Sequence, residues 1–174
     1  MRRAVLLVAA IAMAVVVASG IAWAATIVGT NGDDTRSGTE NRDFMYGLNG
    51  DDTLVGRGGN DLIEGGGERD ILRGGDGNDE ISGGSGRDEI YLGASSVIGQ
   101  NEAYGGSGAD SINADNGTYD EVYAGSGSDS IDADDGTQDV VDCGTYESPT
   151  SANADYDSID VDSVDQIEDC ENVF

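Results

Sequence analysis

The sequence has no histidine and no lysine, a single proline, one tryptophan and two phenylalanines. Without histidine or lysine the usual general bases are missing, and a serine nucleophile would lack its customary partner. Soft-metal sites lose their imidazole ligands for the same reason. Positive charge is also scarce: eight arginines stand against 35 acids, for a formal net charge of −27. Phosphate backbones need a basic face, so nucleic acid is excluded as a partner. Such acidity leaves disorder, a solvated acidic surface, or bound hard cations. Glycine, by contrast, is abundant at 28 residues.

The N-terminus has the layout of a secretory signal. Arg2 and Arg3 form a basic start, Ala4 to Ala18 is uncharged and mostly apolar, and Ala22-Trp23-Ala24 supplies an A-x-A cleavage motif. Residues 1–24 are therefore expected to be removed, leaving a chain that starts at Ala25. Losing the two arginines takes the formal charge from −27 to −29. The competing reading is an uncleaved membrane anchor, because Ala4 to Ala25 is just long enough to span a bilayer.

From Gly29 a nine-residue phase runs without a break. The units are GTNGDDTRS (29–37), GTENRDFMY (38–46), GLNGDDTLV (47–55), GRGGNDLIE (56–64), GGGERDILR (65–73), GGDGNDEIS (74–82) and GGSGRDEIY (83–91). The sixth position is always aspartate: Asp34, Asp43, Asp52, Asp61, Asp70, Asp79 and Asp88. The eighth is apolar (Met45, Leu54, Ile63, Leu72, Ile81, Ile90), with Arg36 the exception. Leu92 to Tyr104 is an enlarged unit without a clear sixth-position aspartate. Beyond it, residues 105–123 and 124–142 are identical at 12 of 19 positions. The duplicated block is two nonapeptides long with one added residue, which implies a structural coil of two repeats.

Each unit divides into a six-residue glycine-rich turn and a three-residue strand. Glycine permits positive φ and close backbone approach, and the central residue of the strand points opposite to its neighbours. Two units then make a flattened coil, and coils stacked about 4.8 Å apart bond through their backbones. The apolar eighth residues meet inside. The sixth-position aspartates align in two rows: Asp34, Asp52, Asp70 and Asp88 on one edge, and Asp43, Asp61 and Asp79 on the other. Carboxylates at that spacing repel unless something separates them. Carboxylates with turn carbonyls form the all-oxygen environment that Ca²⁺ prefers, whereas Mg²⁺ demands tighter octahedral geometry. Turn-marking aspartates alone would not hold so fixed a phase.

These repeats, best formed at 74–82, 83–91 and 105–113, resemble the RTX, or haemolysin-type, calcium-binding repeat family. The resemblance covers about Ile27 to Asp142. It implies an all-β, right-handed parallel β-roll that orders on binding several calcium ions. Transferred by position, Asp34, Asp43, Asp52, Asp61, Asp70, Asp79, Asp88, Asp110, Asp120, Asp129 and Asp139 are carboxylate ligands. Gly74, Asp76, Gly83 and Ser85 contribute turn carbonyls. Asn41 and Glu68 depart from the pattern by replacing a fourth glycine, and Ala124 replaces a first. Asp120 and Asp139 fall one place late. Many relatives carry such a roll behind a toxin, protease or lipase. Only the export segment precedes it here, so their activities do not transfer.

Residues 143–174 read as a C-terminal cap for an open solenoid end. Asp157 to Val161 alternates like a last strand, and the only proline lies in the polar stretch 145–154. Cys143 and Cys170, an isolated pair in an exported chain, read as a disulfide, with two free thiols the alternative. The pattern D-V-V-D-C-G followed by D-C-E-N-V resembles the ending of small secreted calcium-repeat proteins of high-GC Gram-positive bacteria. Tyr46, Tyr91, Tyr104, Tyr119 and Tyr123 end units or flank turns. They fit outward strand packing, or a stripe for a carbohydrate or cell-surface partner. The expected protein is a secreted, non-enzymatic calcium-binding roll, a calcium-stabilised extracellular structural or interaction module. The alternatives are a membrane-tethered adhesin or display stalk, and a hydrolase built on paired acids. A thin roll offers little concave apolar pocket for the last.

Overall fold

The computed structural model describes residues 24–94, 99–115, 119–144, 158–161 and 166–168. The signal-like segment up to Trp23, residues 95–98 of the enlarged unit, the stretch 145–157 and Cys170 lie outside them.

Among the described residues there are strands and turns and no helix. Strands alternate between two parallel sheets. The first holds β1 (Ala25–Val28), β3 (Asp43–Asn49), β5 (Leu62–Gly67), β7 (Glu80–Gly86), β9 (Asn101–Gly108), β11 (Asp120–Ser126), β13 (Val140–Asp142) and β15 (Gln166–Glu168) in that order. The second holds β2 (Thr35–Ser37), β4 (Thr53–Gly58), β6 (Ile71–Asp76), β8 (Glu89–Tyr91), β10 (Ser111–Asn113), β12 (Ser130–Ala133) and β14 (Ser158–Val161). Every pairing is parallel, so the chain is a β-solenoid with one strand of each coil in each sheet, as the duplicated block predicts. The register follows the sequence phase. Met45 stands beside Ile63 and Ile63 beside Ile81. The enlarged unit lengthens one step to 22 residues, Ile81 beside Ala103, and the added residue makes the later steps 19, Ala103 beside Val122.

The strands are longer than the expected three residues wherever the turn glycines join the ladder. Gly66 pairs with Gly84 and Gly84 with Gly106. Period-two alternation therefore continues past the eighth position. In β7 and the residue before it, Asp79, Ile81 and Gly83 are buried while Glu80 and Ser82 are not. Positions six, eight and one of each unit all face inward. This adds Leu92, Ala114, Ala124 and Ala133 to the core, all at 0% exposure and all at first positions. The core is otherwise the expected ladder from Met45 to Val141, extended by Ile159.

Two glycine positions show why the turn needs its composition. Gly77, a fourth position, has φ +137°, and a Cβ there would lie 1.7 Å from the Gly59 carbonyl oxygen. Second positions also sit at positive φ, as in Gly75 at +110°, yet Leu48 and Arg57 hold this conformation at 90° and 85°. A non-glycine residue in the left-handed region costs roughly 1–2 kcal/mol, so these copies are strained.

The C-terminal segment does not leave the roll at Cys143. Ser158–Val161 pairs with β12 and Gln166–Glu168 with β13, adding one rung to each sheet. The sequence places a last strand at the first of these and none at the second. Cys143 is buried at 3% exposure, and no free cysteine occurs among the described residues.

Outward-facing aromatics pack along the sheets. The Tyr104 and Tyr123 rings on adjacent strands stack with centroids 5.0 Å apart and planes 7° from parallel. Arg42 lies over Phe44 and Arg73 over Tyr91, at 5.0 and 4.7 Å from the ring centroids. The Tyr104 phenol donates to Glu102, and desolvation with that carboxylate pushes its pKa up to about 12.

Candidate metal centre

The two aspartate rows exist, and they run inside the roll rather than along its outer edges. Asp43, Asp61, Asp70, Asp79, Asp88, Asp110, Asp120, Asp129 and Asp139 are all buried. Their position explains this: the sixth residue shares the inward face with the eighth, two residues on. The repulsion between rungs is relieved first by the backbone. From Asp52 onward Oδ1 accepts the N–H of the row residue one coil earlier, as in Asp43 to Asp61 (2.7 Å), Asp61 to Asp79 (2.8 Å), Asp52 to Asp70 (2.9 Å) and Asp70 to Asp88 (2.8 Å). The later coils continue the pattern from Asp88 to Asp110, Asp110 to Asp129 and Asp120 to Asp139, each at 2.8 Å. Asp120 and Asp139, one place late in the sequence, thus stand fully in their row. The added turn residue is absorbed before the strand begins.

The second carboxylate oxygen is a different matter. In Asp52, Asp61, Asp70, Asp79, Asp88 and Asp110, Oδ2 is buried with no hydrogen-bond partner. Leaving such an atom unpaired costs ~1–3 kcal/mol, more if it is charged. Desolvation accordingly pushes the pKa of Asp70 and Asp79 up to about 7, and of Asp61 and Asp88 up to about 6, against the opposing backbone hydrogen bonds. Asp52 and Asp110 are raised for the same first reason.

The first coil solves the problem locally. Asp34 Oδ2 accepts the Thr30 N–H at 2.6 Å and its hydroxyl at 2.8 Å, and Asp43 Oδ2 accepts the Thr39 N–H at 2.5 Å. Arg36, the missing eighth-position apolar residue, pairs with Asp34 at 2.6 Å at the solenoid's end. The Thr30 hydrogen bonds hold Asp34 below the usual carboxylate range. At Leu48, Arg57, Gly66, Gly75, Gly84 and Gly106 the second position is in the left-handed region instead. The Gly75 N–H goes to the Leu92 carbonyl at 3.3 Å.

Each unpartnered Oδ2 packs close against a first-position residue of its own coil. A Cβ on Gly56 would meet Asp61 Oδ2 at 2.2 Å and the Gly74 carbonyl oxygen at 2.6 Å. One on Gly65 would meet Asp70 Oδ2 at 2.3 Å and the Gly83 carbonyl at 2.8 Å, and one on Gly74 would meet Asp79 Oδ2 at 2.3 Å and the Leu92 carbonyl at 2.5 Å. Carboxylate and carbonyl oxygens converge there, and the Leu92 carbonyl also accepts the Gly75 N–H. The carbonyls of Gly74 and Gly83, expected as ligands, are those that a Cβ on Gly56 and on Gly65 would meet. Asp76 and Ser85 are exposed. The Asp76 carbonyl accepts the Gly59 N–H at 2.9 Å, and the Ser85 hydroxyl lies 3.5 Å from the Gly66 carbonyl. Among the described residues no three acidic side chains converge as a metal cluster, so any cation here relies on carbonyls as well as carboxylates. That donor set of hard oxygens fits Ca²⁺ and no soft metal.

One row member is not legible from the nonapeptide phase. Asn101, in the enlarged unit, takes the rung between Asp79 and Asp120, and its Oδ1 accepts the Asp79 N–H at 3.0 Å. Four inserted residues hide it. Counting back two places from a buried residue before Tyr104, Ala103, would have found it.

The family model described as the RTX calcium-binding nonapeptide repeat (4 copies) matches residues 28–63, 37–72, 64–96, 98–118 and 119–137. No curated protein and no solved structure matches the chain. With repeats matched over most of the solenoid and their phase reproduced in its register, the chain belongs to the RTX calcium-binding nonapeptide repeat family.

Proposed function

We propose that the protein is an exported calcium-binding repeat protein whose roll is a calcium-stabilised extracellular structural or interaction module. The observation that carries this is the buried row of unpartnered Oδ2 atoms from Asp52 to Asp110. An unpartnered buried carboxylate must take up a proton, meet a cation or destabilise the fold. Calcium supplies divalent positive charge where adjacent coils would otherwise place unneutralised carboxylates. The Oδ2 atoms of Asp52, Asp61, Asp70, Asp79, Asp88 and Asp110 would hold it, with first-position carbonyls such as those of Gly74 and Gly83. The outer side of each Asp already serves the backbone, so cation and ladder do not compete for one oxygen.

The remainder of the reading follows from this scaffold. Parallel crossovers wind right-handed in nearly all proteins, and the roll is assigned that hand. Among the described residues the inward side chains are taken up by core and rows, which supports a structural rather than a catalytic role. Export rests on the segment up to Ala24. A Cys143–Cys170 bridge would tie the C-terminal end to the last coils, contributing on the order of 3–4 kcal/mol in the chain-entropy model. Intact mass of the protein recovered outside the cell, with and without reductant and alkylation, tests both. A chain starting at Ala25 with two blocked cysteines is expected. A chain retaining Met1 to Ala24 on membranes would favour the tethered reading.

A further inference from the structure

The first-sheet row contains one residue that is not an acid. It runs Asp43, Asp61, Asp79, Asn101, Asp120 and Asp139, and Asn101 is fully buried. Asn101 copies the carboxylate pattern on one side, where Oδ1 accepts the Asp79 N–H at 3.0 Å. This contact fixes the amide's orientation, because the reversed amide would set a donor against a donor. Nδ2 therefore occupies the place of the second carboxylate oxygen. There it donates to the Gly93 carbonyl at 3.2 Å and to Asp120 Oδ1 at 2.9 Å, while the Asn101 N–H reaches the same Oδ1 at 3.2 Å.

Resting on the calcium reading above, we propose that Asn101 is a closed rung: it completes its coil without a cation and interrupts one of the two calcium rows. The amide is neutral, so this rung carries no charge for a cation to offset. Its N–H₂ donates to the Gly93 carbonyl and to Asp120 Oδ1, so the place of the second carboxylate oxygen is hydrogen-bonded rather than unpartnered. It also presents hydrogen atoms, not lone pairs, where the aspartates present Oδ2. The second row, from Asp52 through Asp70 and Asp88 to Asp110, has an unpartnered Oδ2 on each of these rungs. The rows are thus unequal. The first is divided at the enlarged unit into a part ending at Asp79 and a part starting at Asp120, while the second passes the same level unbroken. The insertion and the asparagine occur together, at the one coil whose turn is lengthened by four residues.

The test counts calcium ions on the full exported chain. Native mass spectrometry at saturating calcium, with circular dichroism on the same samples, compares the wild type with Asn101→Asp and Asp79→Asn. The closed-rung assignment expects Asn101→Asp to remain β-rich in calcium and to bind one more ion than the wild type. Asp79→Asn, which moves an amide into an open rung of the same row, is expected to bind one fewer. An Asn101→Asp chain with the wild-type count would overturn the assignment. So would one that fails to fold in saturating calcium, since a cation would then be unable to enter the opened rung. A wild-type chain that folds and binds no calcium would overturn the calcium reading itself, and the counts of the variants would separate the two failures.

Discussion

Asp79 lends itself to a dissection of its two oxygens. Oδ1 accepts the Asp61 N–H at 2.8 Å, and Oδ2 is buried without a partner beside the Leu92 carbonyl. Asp79→Asn keeps an acceptor for Asp61 and removes the charge. Asp79→Ala removes both. Burial takes the Asp79 carboxyl from an ordinary 3.8 to about 7; at ~1.4 kcal/mol per pH unit this amounts to at most ~4 kcal/mol against the metal-free fold above pH 7. Asp79→Asn relieves that penalty, so in EGTA at pH 8 it should need less trimethylamine oxide than the wild type to become β-rich. In calcium the sign reverses. Losing a charged ligand should raise the calcium midpoint by about tenfold, or ~1.4 kcal/mol. Asp79→Ala should be worse than Asp79→Asn in both conditions, because the buried Asp61 N–H is then orphaned at ~1–3 kcal/mol. The readout is far-ultraviolet circular dichroism against calcium, and against osmolyte in EGTA. Ser107→Ala is the control, since Ser107 is exposed near the end of β9. If Asp79→Asn shifts the calcium midpoint no further than Ser107→Ala does, Oδ2 is not a ligand and the reasoning fails.

Other outcomes follow from the same structure. Asp61, Asp70, Asp79 and Asp88 have folded pKa values of about 6 to 7, above their unfolded values, so the metal-free roll gains stability as pH falls and loses it as pH rises through 6–7. Circular dichroism in EGTA should therefore show more β structure at pH 5 than at pH 8, while the calcium midpoint rises on acidification because protons compete for the same oxygens. A pH-independent midpoint would contradict this. Leu48→Gly relieves a left-handed residue at φ 90° that is largely exposed. Set against the entropy cost of glycine, it should stabilise the calcium-loaded roll by about 0.5–1 kcal/mol in urea unfolding; destabilisation would refute the strain. Gly77→Ala should do the reverse by several-fold more, because its Cβ would meet the Gly59 carbonyl. Limited proteolysis in calcium should cut first within Leu92 to Asn101, where four residues exceed the repeat; first cuts inside 56–91 would count against the assigned phase.

The nonapeptide phase carries most of the architecture because a solenoid repeats its environment. A residue and its counterpart two units later must meet the same neighbours, so rows, register and core ladder are all legible from position numbers. What the phase does not disclose is direction. It stacks Asp61 on Asp79 but does not say whether the carboxylate faces out to a turn or in to the core. That depended on extending strand alternation two residues before Ile81 and two after it. The same extension accounts for Leu92, Ala114 and Ala124 in the core, where a repeat-based reading expects only a glycine's turn function. Asn101 was hidden by a shifted phase, and the Thr30 and Thr39 caps by chemistry that only a hydrogen-bond geometry reveals. The β15 strand was missed because Gln166–Glu168 has a single apolar residue and no glycine turn in phase before it.

The central claim is that hard divalent calcium neutralises the buried Oδ2 rows and thereby orders the roll. It is tested most directly by circular dichroism of the purified chain, at pH 8 in EGTA, titrated in parallel with Ca²⁺ and with Mg²⁺. The account predicts a largely disordered spectrum in EGTA, because a charge near −29 and buried unpaired carboxylates oppose compaction. It predicts a cooperative change to a β spectrum with calcium in the range of roughly 10⁻⁴–10⁻³ M, and little response to magnesium. A native β spectrum already present in EGTA, or an equal response to both ions, would contradict it.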